Sequence, residues 1–154
     1  MNVINIDSTD TRLLRQVLEI HDQMPLTWDP NHQGSEEHLN ELVSRIQANP
    51  DDHGFWTLSV AGLSGRDSID GLLWASKRKD RLNVSFCSIN SLWIHPEKRG
   101  REMVRLLTGP CLLWARAQGL ERIEVSTHFQ NARMRKILEK HLFLPEMIQY
   151  SLRL

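Results

Sequence analysis

The chain has 154 residues, which is enough for one domain with a sizeable hydrophobic core. Its 19 basic and 19 acidic residues balance, so no overall field points to nucleic acid or a membrane surface as a partner. Cys87 and Cys111 lie in apolar surroundings without metal or redox spacing, which favours reduced, buried thiols and a cytoplasmic location. We find no signal-peptide pattern at the N-terminus and no stretch of transmembrane length.

The first third of the chain is predicted to form a strand and two helices. The letters VINI at 3–6 indicate a short strand. Ser8, Thr9 and Asp10 are N-cap candidates for the first helix, because their side chains can accept hydrogen bonds from its first turn. A loop rich in turn formers then leads into a second helix over 35–49. Apolar residues recur at helical spacing in both helices: Leu14, Val17, Leu18, Leu39, Leu42, Val43 and Ile46.

Three strands are predicted next, over 55–62, 69–79 and 82–94. The segment 63–68, between the first two, has the composition of a hairpin turn. In the third strand, both alternating sets of positions carry apolar residues. That pattern is typical of a central strand that is covered on both faces.

The rest of the chain predicts a helix, a strand, a helix and a final strand, over 101–119, 120–127, 131–141 and 146–154. The first of these helices contains Pro110, which lacks a backbone donor and clashes with the preceding turn. We therefore expect a kink there or a break into two pieces. No Gly- or Pro-rich linker divides the chain, so residues 1–154 are predicted to form a single α/β domain.

A basic turn joins the third of the three consecutive strands to the next helix. The segment IHPEKRGREMV at 94–104 leaves the strand through Pro96 and carries Lys98, Arg99 and Arg101. Backbone N–H groups at a helix N-terminus bind phosphate readily, and the fork of an arginine can bond two phosphate oxygens. A solvated basic turn has the same composition, so the local residues leave both interpretations open.

The order of elements and two motifs resemble the GNAT family of N-acetyltransferases. The segment SLWIHPEKRGREMVRLL at 91–107 is similar to the family's fourth strand and acetyl-CoA pyrophosphate loop. The segment AQGLERIEVSTHFQNARMRKILEKHLF at 117–143 is similar to its fifth strand and following helix. The resemblance implies the GNAT fold, an α/β (α+β) structure whose mixed, mostly antiparallel central sheet is flanked by helices on both faces. It also implies binding of acetyl-CoA by Trp93, Ile94, Arg99, Gly100, Arg101, Glu102, Met103, Val104 and Asn131.

The chain departs from the family's pattern at four positions. Glu102 and Val104 replace two small residues of the loop, Leu138 replaces a tyrosine that often protonates the leaving thiolate, and Leu142 replaces a glycine. If Glu102 faced a bound diphosphate at contact distance, the repulsion would be roughly 4 kcal/mol at an effective dielectric constant near 20. Alternatively, its carboxylate stabilises the helix dipole without any ligand, or it turns to solvent or pairs with Arg105.

Acetyl transfer requires that the thioester carbonyl is polarised and that the amine loses a proton. By the resemblance, the backbone N–H groups of Trp93 and Ile94 polarise the carbonyl. Glu124, on the next strand, and His128, at its end, are the candidate bases, although each also fits a surface position without a catalytic role. The remaining histidines lack ligand spacing, so we expect no metal.

Two functions of different classes follow from these observations. The first is an enzyme that transfers acetyl from acetyl-CoA to an unidentified amine, on a small molecule or a protein, in the cytoplasm. The alternative is a catalytically inactive GNAT-fold module that binds a protein partner, for example as a component of a bacteriophage virion. The resemblance and Asn131 favour the enzyme, and the replaced loop residues favour the module. Neither interpretation implies a membrane or nucleic acid.

Overall fold

The computed structural model describes residues 2–27, 29–59, 69–141, 143–147 and 149–152. Within these ranges the strands are β1 (Asn2–Asn5), β2 (His53–Ser59), β3 (Ile69–Lys79), β4 (Ser85–Ile94) and β5 (Ile123–Val125). The α-helices are α1 (Thr11–Gln23), α2 (Glu36–Ala48), α3 (Arg101–Ala117) and α4 (Ala132–Lys140). The five strands form one sheet in the order β1-β2-β3-β4-β5. The pairs β1–β2, β2–β3 and β3–β4 are antiparallel, and β5 is parallel to β4.

The starts of the first two helices are set by side-chain caps. The Asp10 carboxylate accepts hydrogen bonds from the N–H groups of Arg12 and Leu13, which confirms one of the three predicted caps of α1. The Ser35 hydroxyl accepts from the N–H of His38 at the start of α2. Both contacts satisfy donors that have no partner inside the helix.

The hydrophobic core has two parts, one on each face of the sheet. Helices α1 and α2 pack on one face through Leu14, Leu18, Leu42 and Ile46, which meet Leu72 and Trp74 of β3. Helix α3 packs on the other face through Leu107, Cys111 and Ala115, which meet Leu73 of β3 and Cys87 of β4. The structure therefore confirms that β4 is a central strand with apolar side chains on both faces, and it buries both cysteines as free thiols.

Helix α3 differs from the prediction, because it runs unbroken from Arg101 through Pro110 to Ala117. Of the two alternatives predicted at Pro110, a kink or a break into two pieces, the break is wrong, and the residue before the proline supplies a reason. The clash that disfavours helical geometry before proline involves the Cβ of the preceding residue, and Gly109 has none. Burial of Leu107 and Cys111 on the sheet then holds both halves of the helix in register.

The predicted final strand is also wrong for the residues that the structure describes. Residues 146, 147 and 149–152 form no strand, and the side chains of Met147, Tyr150 and Leu152 are exposed. An apolar pattern produces a strand only where a sheet edge can pair with it, and β5 presents just three residues. The predicted hairpin turn at 63–68 lies outside the described residues.

Candidate active site

Strands β4 and β5 separate along the sheet and leave a gap between them. They pair in parallel only at Cys87–Ile123, Ser88–Glu124 and Ile89–Val125. Past that point the register of β4 against β3 shifts by one residue, so that Asn90 forms a bulge. Strand β4 continues to Ile94 while β5 ends at Val125. The end of β4 therefore exposes one backbone edge to this space, which we call the β4–β5 gap.

The bulge decides which backbone groups of β4 face the gap. Before it, the N–H of Cys87 donates to the carbonyl of Arg122, so the odd-numbered residues face β5. Beyond it, the N–H of His95 donates to the carbonyl of Asp70 at 2.8 Å, so the odd-numbered residues face β3. By the same alternation the N–H of Trp93 is directed to β3, and that of Ile94 faces the gap.

The carbonyl of Ile94 supports this orientation. It accepts a hydrogen bond from Nε of Arg99 at 3.1 Å, so the backbone of Ile94 does face away from β3. Of the two donors expected from the sequence, only Ile94 directs its N–H into the gap. The Arg99 contact also fixes the guanidinium beside the end of β4, within the basic turn.

The N-terminus of α3 has unsatisfied donors and open space in front of it. Gly100 occupies the N-cap in an extended conformation (φ −162°, ψ 167°), and none of the side chains that the structure describes caps the first turn. A Cβ placed on Gly100 would meet no atom within 4 Å. Lys98 and Arg99 are exposed on the preceding turn, and the side chain of Arg101 lies outside the described part of the structure. These residues could hold the diphosphate of a CoA molecule, because backbone N–H groups, positive charge and open space occur together at the start of α3.

The loop residues that differ from the family's pattern point in different directions. Glu102 is exposed and forms no hydrogen bond or ion pair with any described side chain, so the alternative in which it pairs with Arg105 is not what the structure shows. Val104 is buried in the α3 side of the core, and Met103 packs partly against it. Only the backbone of Val104 could therefore meet a ligand.

The connection between β5 and α4 holds two more predicted site residues. Oδ1 of Asn131 accepts a hydrogen bond from the N–H of Met134 at 3.1 Å and so caps α4. This cap engages the side-chain oxygen of Asn131, whereas its amide nitrogen has no partner among the described residues. His128 is exposed, and its Nδ1 accepts from the N–H of Gln130.

Glu124 lies in an ion pair, with its Oε1 2.9 Å from Nε of Arg122. The same guanidinium contacts Asp80 at 3.0 Å and lies over the ring of Phe86, 5.0 Å from its centroid. Arg122 thus ties β5 to the turn between β3 and β4. Hydrogen bonds, above all from the N–H of Val84, hold the pKa of Asp80 below its usual value.

One polar pair between α1 and β4 was not predicted from the sequence, and it joins a half-buried histidine to a buried serine. Nδ1 of His21, on α1, lies 2.5 Å from the hydroxyl oxygen of the buried Ser91 on β4. The imidazole meets the ring of Trp74 edge-on, with the ring centroids 5.0 Å apart. Burial lowers the pKa of His21, a nearby Asp22 opposes the shift, and His38 adds to it. The helical spacing of His21 from Leu14 and Leu18 was the signal that could have placed it against the sheet.

A cleft opens beside the end of β4, on the face that carries α1. Its volume is about 490 Å³, and we call it the α1–β4 cleft. The described residues that line it are Gln16, Ile20, Gln23, Met24, Leu26, Ile69 and Trp93. Trp93 therefore directs its side chain into the cleft, while the N–H of the next residue faces the gap.

The described residues show neither a metal-binding cluster nor a membrane-spanning helix. No three of their His, Cys, Asp and Glu side chains are grouped so as to hold a metal ion. None of the helices within those ranges has both the length and the apolar character needed to cross a membrane.

No protein-family model matches the sequence, and no match is found among curated proteins. Solved structures match over the whole chain. AAC(6')-Iy, in complex with the bisubstrate analogue CoA-S-monomethyl-acetylneamine, is 17% identical with a TM-score of 0.71, and the match covers 99% of this chain and 98% of that one.

Two other structures give similar values. Glucosamine-6-phosphate N-acetyltransferase from Arabidopsis thaliana is 15% identical with a TM-score of 0.66, covering 99% of this chain and 97% of the other. Ribosomal-protein-alanine N-acetyltransferase from Brucella melitensis is 11% identical with a TM-score of 0.65 and full coverage of both chains. At such low identity these likenesses concern the fold, and they confirm the one predicted from the sequence: the chain has the fold of the GNAT acetyltransferases.

Proposed function

We propose that this chain, which has the fold of the GNAT acetyltransferases, is an N-acyltransferase that moves an acetyl group from acetyl-CoA to an amine. The observation that carries the proposal is the β4–β5 gap, because the N–H of Ile94, which faces the gap, and the N-terminus of α3, which no described side chain caps, lie at the same end of one strand. In the reaction a C–N bond forms, the C–S bond of the thioester breaks, and CoA leaves as a thiolate. The proton that the amine gives up balances the proton that the thiolate takes up.

Binding of acetyl-CoA is assigned to the basic turn and the first turn of α3. The N–H groups after Gly100 would bond the diphosphate oxygens, and Arg99, already held by the carbonyl of Ile94, would add positive charge. Asn131 would use its amide nitrogen, because its oxygen caps α4. Bound in this way, acetyl-CoA supplies an activated thioester.

Glu102 is compatible with this site as the structure places it. Its side chain is exposed, so water screens its charge from a ligand held by the backbone of the same turn. The carboxylate also interacts favourably with the helix dipole when no ligand is bound. Its effect is therefore a moderate loss of affinity and not a closed site.

The reaction also needs a donor to the thioester carbonyl and a base for the amine. The N–H of Ile94 would donate to the thioester carbonyl oxygen and stabilise the charge that develops there, which is the role of an oxyanion-hole donor. His128, exposed at the end of β5, is the better of the two candidate bases. Glu124 is the weaker one because its carboxylate is engaged with Arg122.

The test removes the backbone N–H of Ile94. Ile94→Pro deletes the N–H that faces the gap without deleting a hydrogen bond of the sheet, and Ile94→Val is the matched control that keeps the N–H. We expect the proline variant to lower kcat by about 100-fold or more, in line with the loss of one oxyanion donor, and the valine variant to stay near the native rate. Thiol release from acetyl-CoA in the presence of a panel of amines measures both rates. Equal rates in the two variants, with circular dichroism showing both folded, would refute the role of Ile94.

A further inference from the structure

We propose that Ser91 is a positioning residue: its hydrogen bond with His21 fixes the register of β4 beyond the bulge, and that register keeps the N–H of Ile94 directed into the β4–β5 gap. The consequence for acetyl transfer rests on the proposed function and deepens it. The effect on the register does not depend on any activity. Three observations support the inference: the apolar composition of the end of β4, the buried contact of Ser91, and the hydrogen bonds of the bulge residue.

Apolar packing by itself specifies the register at the end of β4 only weakly. In the structure Leu92 and Ile94 pack on the α3 side of the sheet, and Trp93 packs on the α1 side. Strict alternation from Ile89, without a bulge, would exchange these sides, because successive side chains of a strand point to opposite faces. We call that arrangement the slipped register. Since apolar side chains cover both faces of β4, the slipped register would bury Leu92, Trp93 and Ile94 as well.

Ser91 distinguishes the two registers. Its side chain is 2% exposed, and its hydroxyl oxygen lies 2.5 Å from Nδ1 of His21 on α1. In the slipped register this hydroxyl would face the α3 side, among apolar side chains such as Leu73 and Leu107. A buried hydroxyl that loses its partner is strongly disfavoured. The contact with His21 therefore favours the register that contains the bulge.

The bulge residue, Asn90, is held on the same side of the sheet. Its side-chain nitrogen donates to the hydroxyl of Ser76 at 2.9 Å, and its Oδ1 accepts from the guanidinium of Arg78 at 2.8 Å. Nε of Arg78 also donates to the Ser76 hydroxyl at 3.3 Å, which closes this set of hydrogen bonds. Ser76 follows Trp74 by two residues on β3 and so shares its α1-facing side. Asn90 and Ser91 thus both direct their side chains to the α1 side, which requires the break in alternation that the bulge supplies.

The register decides which N–H groups of β4 face the gap. With the bulge, the N–H of His95 donates across to β3, and that of Ile94 faces the gap. In the slipped register the alternation inverts, so the N–H of Ile94 would be directed to β3 and those of Trp93 and His95 to the gap. Loss of the Ser91 contact should therefore remove the proposed oxyanion donor without altering the first turn of α3.

Amide hydrogen exchange, followed by NMR without any ligand, reports the register directly. Ser91→Ala removes the hydroxyl, and we expect the exchange rates of the Trp93 and His95 amides to rise about tenfold, the effect of losing one buried hydrogen bond. The amide of Ile6, which donates to β2 elsewhere in the sheet, should keep its native rate. A general loss of stability would instead raise all three rates.

Ser8→Ala removes a buried hydroxyl outside the sheet, so it is the matched control and should change none of these rates. Unchanged rates at Trp93 and His95 in Ser91→Ala, or an equal rise at Ile6, would overturn the inference and leave the proposed function standing.

Variants of His21 test the partner of the serine. His21→Phe keeps a ring and removes the polar atom, so it should raise the same two rates as Ser91→Ala. His21→Asn keeps a polar atom near the position of Nδ1 and should stay close to the native rates. Equal rates in these two variants would overturn the role of the contact.

Ser91→Val tests the consequence for catalysis, because an apolar side chain also favours the α3 side in the slipped register. We expect kcat to fall by about tenfold or more, while the calorimetric Kd for acetyl-CoA stays within about threefold of the native value, since α3 holds the diphosphate. A native kcat in a variant whose Trp93 and His95 amides exchange rapidly would overturn the link between the register and the reaction. No heat with acetyl-CoA and no transfer to any amine by the native chain would overturn the proposed function, and the exchange rates would still decide the register.

Discussion

Replacement of Glu102 by glutamine gives a quantitative test of how the basic turn holds a diphosphate. The substitution removes one negative charge and keeps the size of the side chain. Glu102 is exposed and has no described partner, so the effective dielectric constant around it is close to that of water. One pair of charges 4 Å apart then repels by about 1 kcal/mol, which corresponds to about fivefold in affinity. The contact value of roughly 4 kcal/mol, almost a thousandfold, requires a carboxylate that is shielded from water.

Calorimetric titration with acetyl-CoA at low salt measures this difference. We expect Glu102→Gln to bind about five- to thirtyfold more tightly than the native chain, the upper value applying if two phosphate charges are near. The gain should largely disappear in 1 M salt, where the Debye length falls to about 3 Å. Glu41→Gln, on the exposed side of α2 and so on the opposite face of the sheet, is the control and should leave the affinity as it is. A thousandfold gain would show that the carboxylate is desolvated against the ligand, and no gain would show that the diphosphate lies elsewhere.

Three further outcomes are expected. His128→Asn should lower kcat by about 100-fold, the usual contribution of a general base, whereas Glu124→Gln should lower it less than about threefold; the opposite order would exchange their roles. Leu107→Ala, at a fully buried position of α3, should reduce the free energy of unfolding by about 2–5 kcal/mol. Leu106→Ala, at a position that is 38% exposed, should reduce it by less, and equal losses in urea melts would contradict the packing of α3. Burial lowers the pKa of both His21 and His53 below the ordinary value of about 6.5, so the folded state binds fewer protons than the unfolded state below that pH. The contribution of the two neutral histidines to the free energy of unfolding should therefore be complete above pH 6.5 and fall as the pH drops below it. The fall should be smaller in His53→Gln. A free energy of unfolding that is higher at pH 5.5 than at pH 7.5 would contradict this assignment.

Most of the fold could be predicted because it is encoded locally. The cap at Asp10, the helical spacing of Leu39 and Leu42, and the apolar positions on both faces of β4 are signals that short stretches of sequence carry by themselves. Pro110 misled the prediction because the residue before it, Gly109, removes part of the steric conflict. The final strand was predicted from its alternation alone, whereas a strand also depends on an available edge.

The site was less predictable, because its geometry depends on contacts between distant segments. Strict alternation from Cys87 would have placed the N–H of Trp93 in the gap, and the bulge at Asn90 shifts that role to Ile94. Tertiary structure likewise determines the direction of the Glu102 side chain and the ion pair of Glu124 with Arg122. Helical spacing could have predicted that His21 faces the sheet. It could not have predicted that its partner is Ser91, which lies 70 residues away in the sequence.

If Ile94 and the first turn of α3 engage acetyl-CoA as proposed, their backbone amides should report the contact. A titration of ¹⁵N-labelled protein with acetyl-CoA, followed by amide chemical shifts, measures this directly. We expect saturable shifts at Ile94 and at residues 101–103, and smaller ones at Trp93, whose N–H is directed to β3. Shifts confined to other parts of the chain, or none at all at millimolar acetyl-CoA, would contradict it.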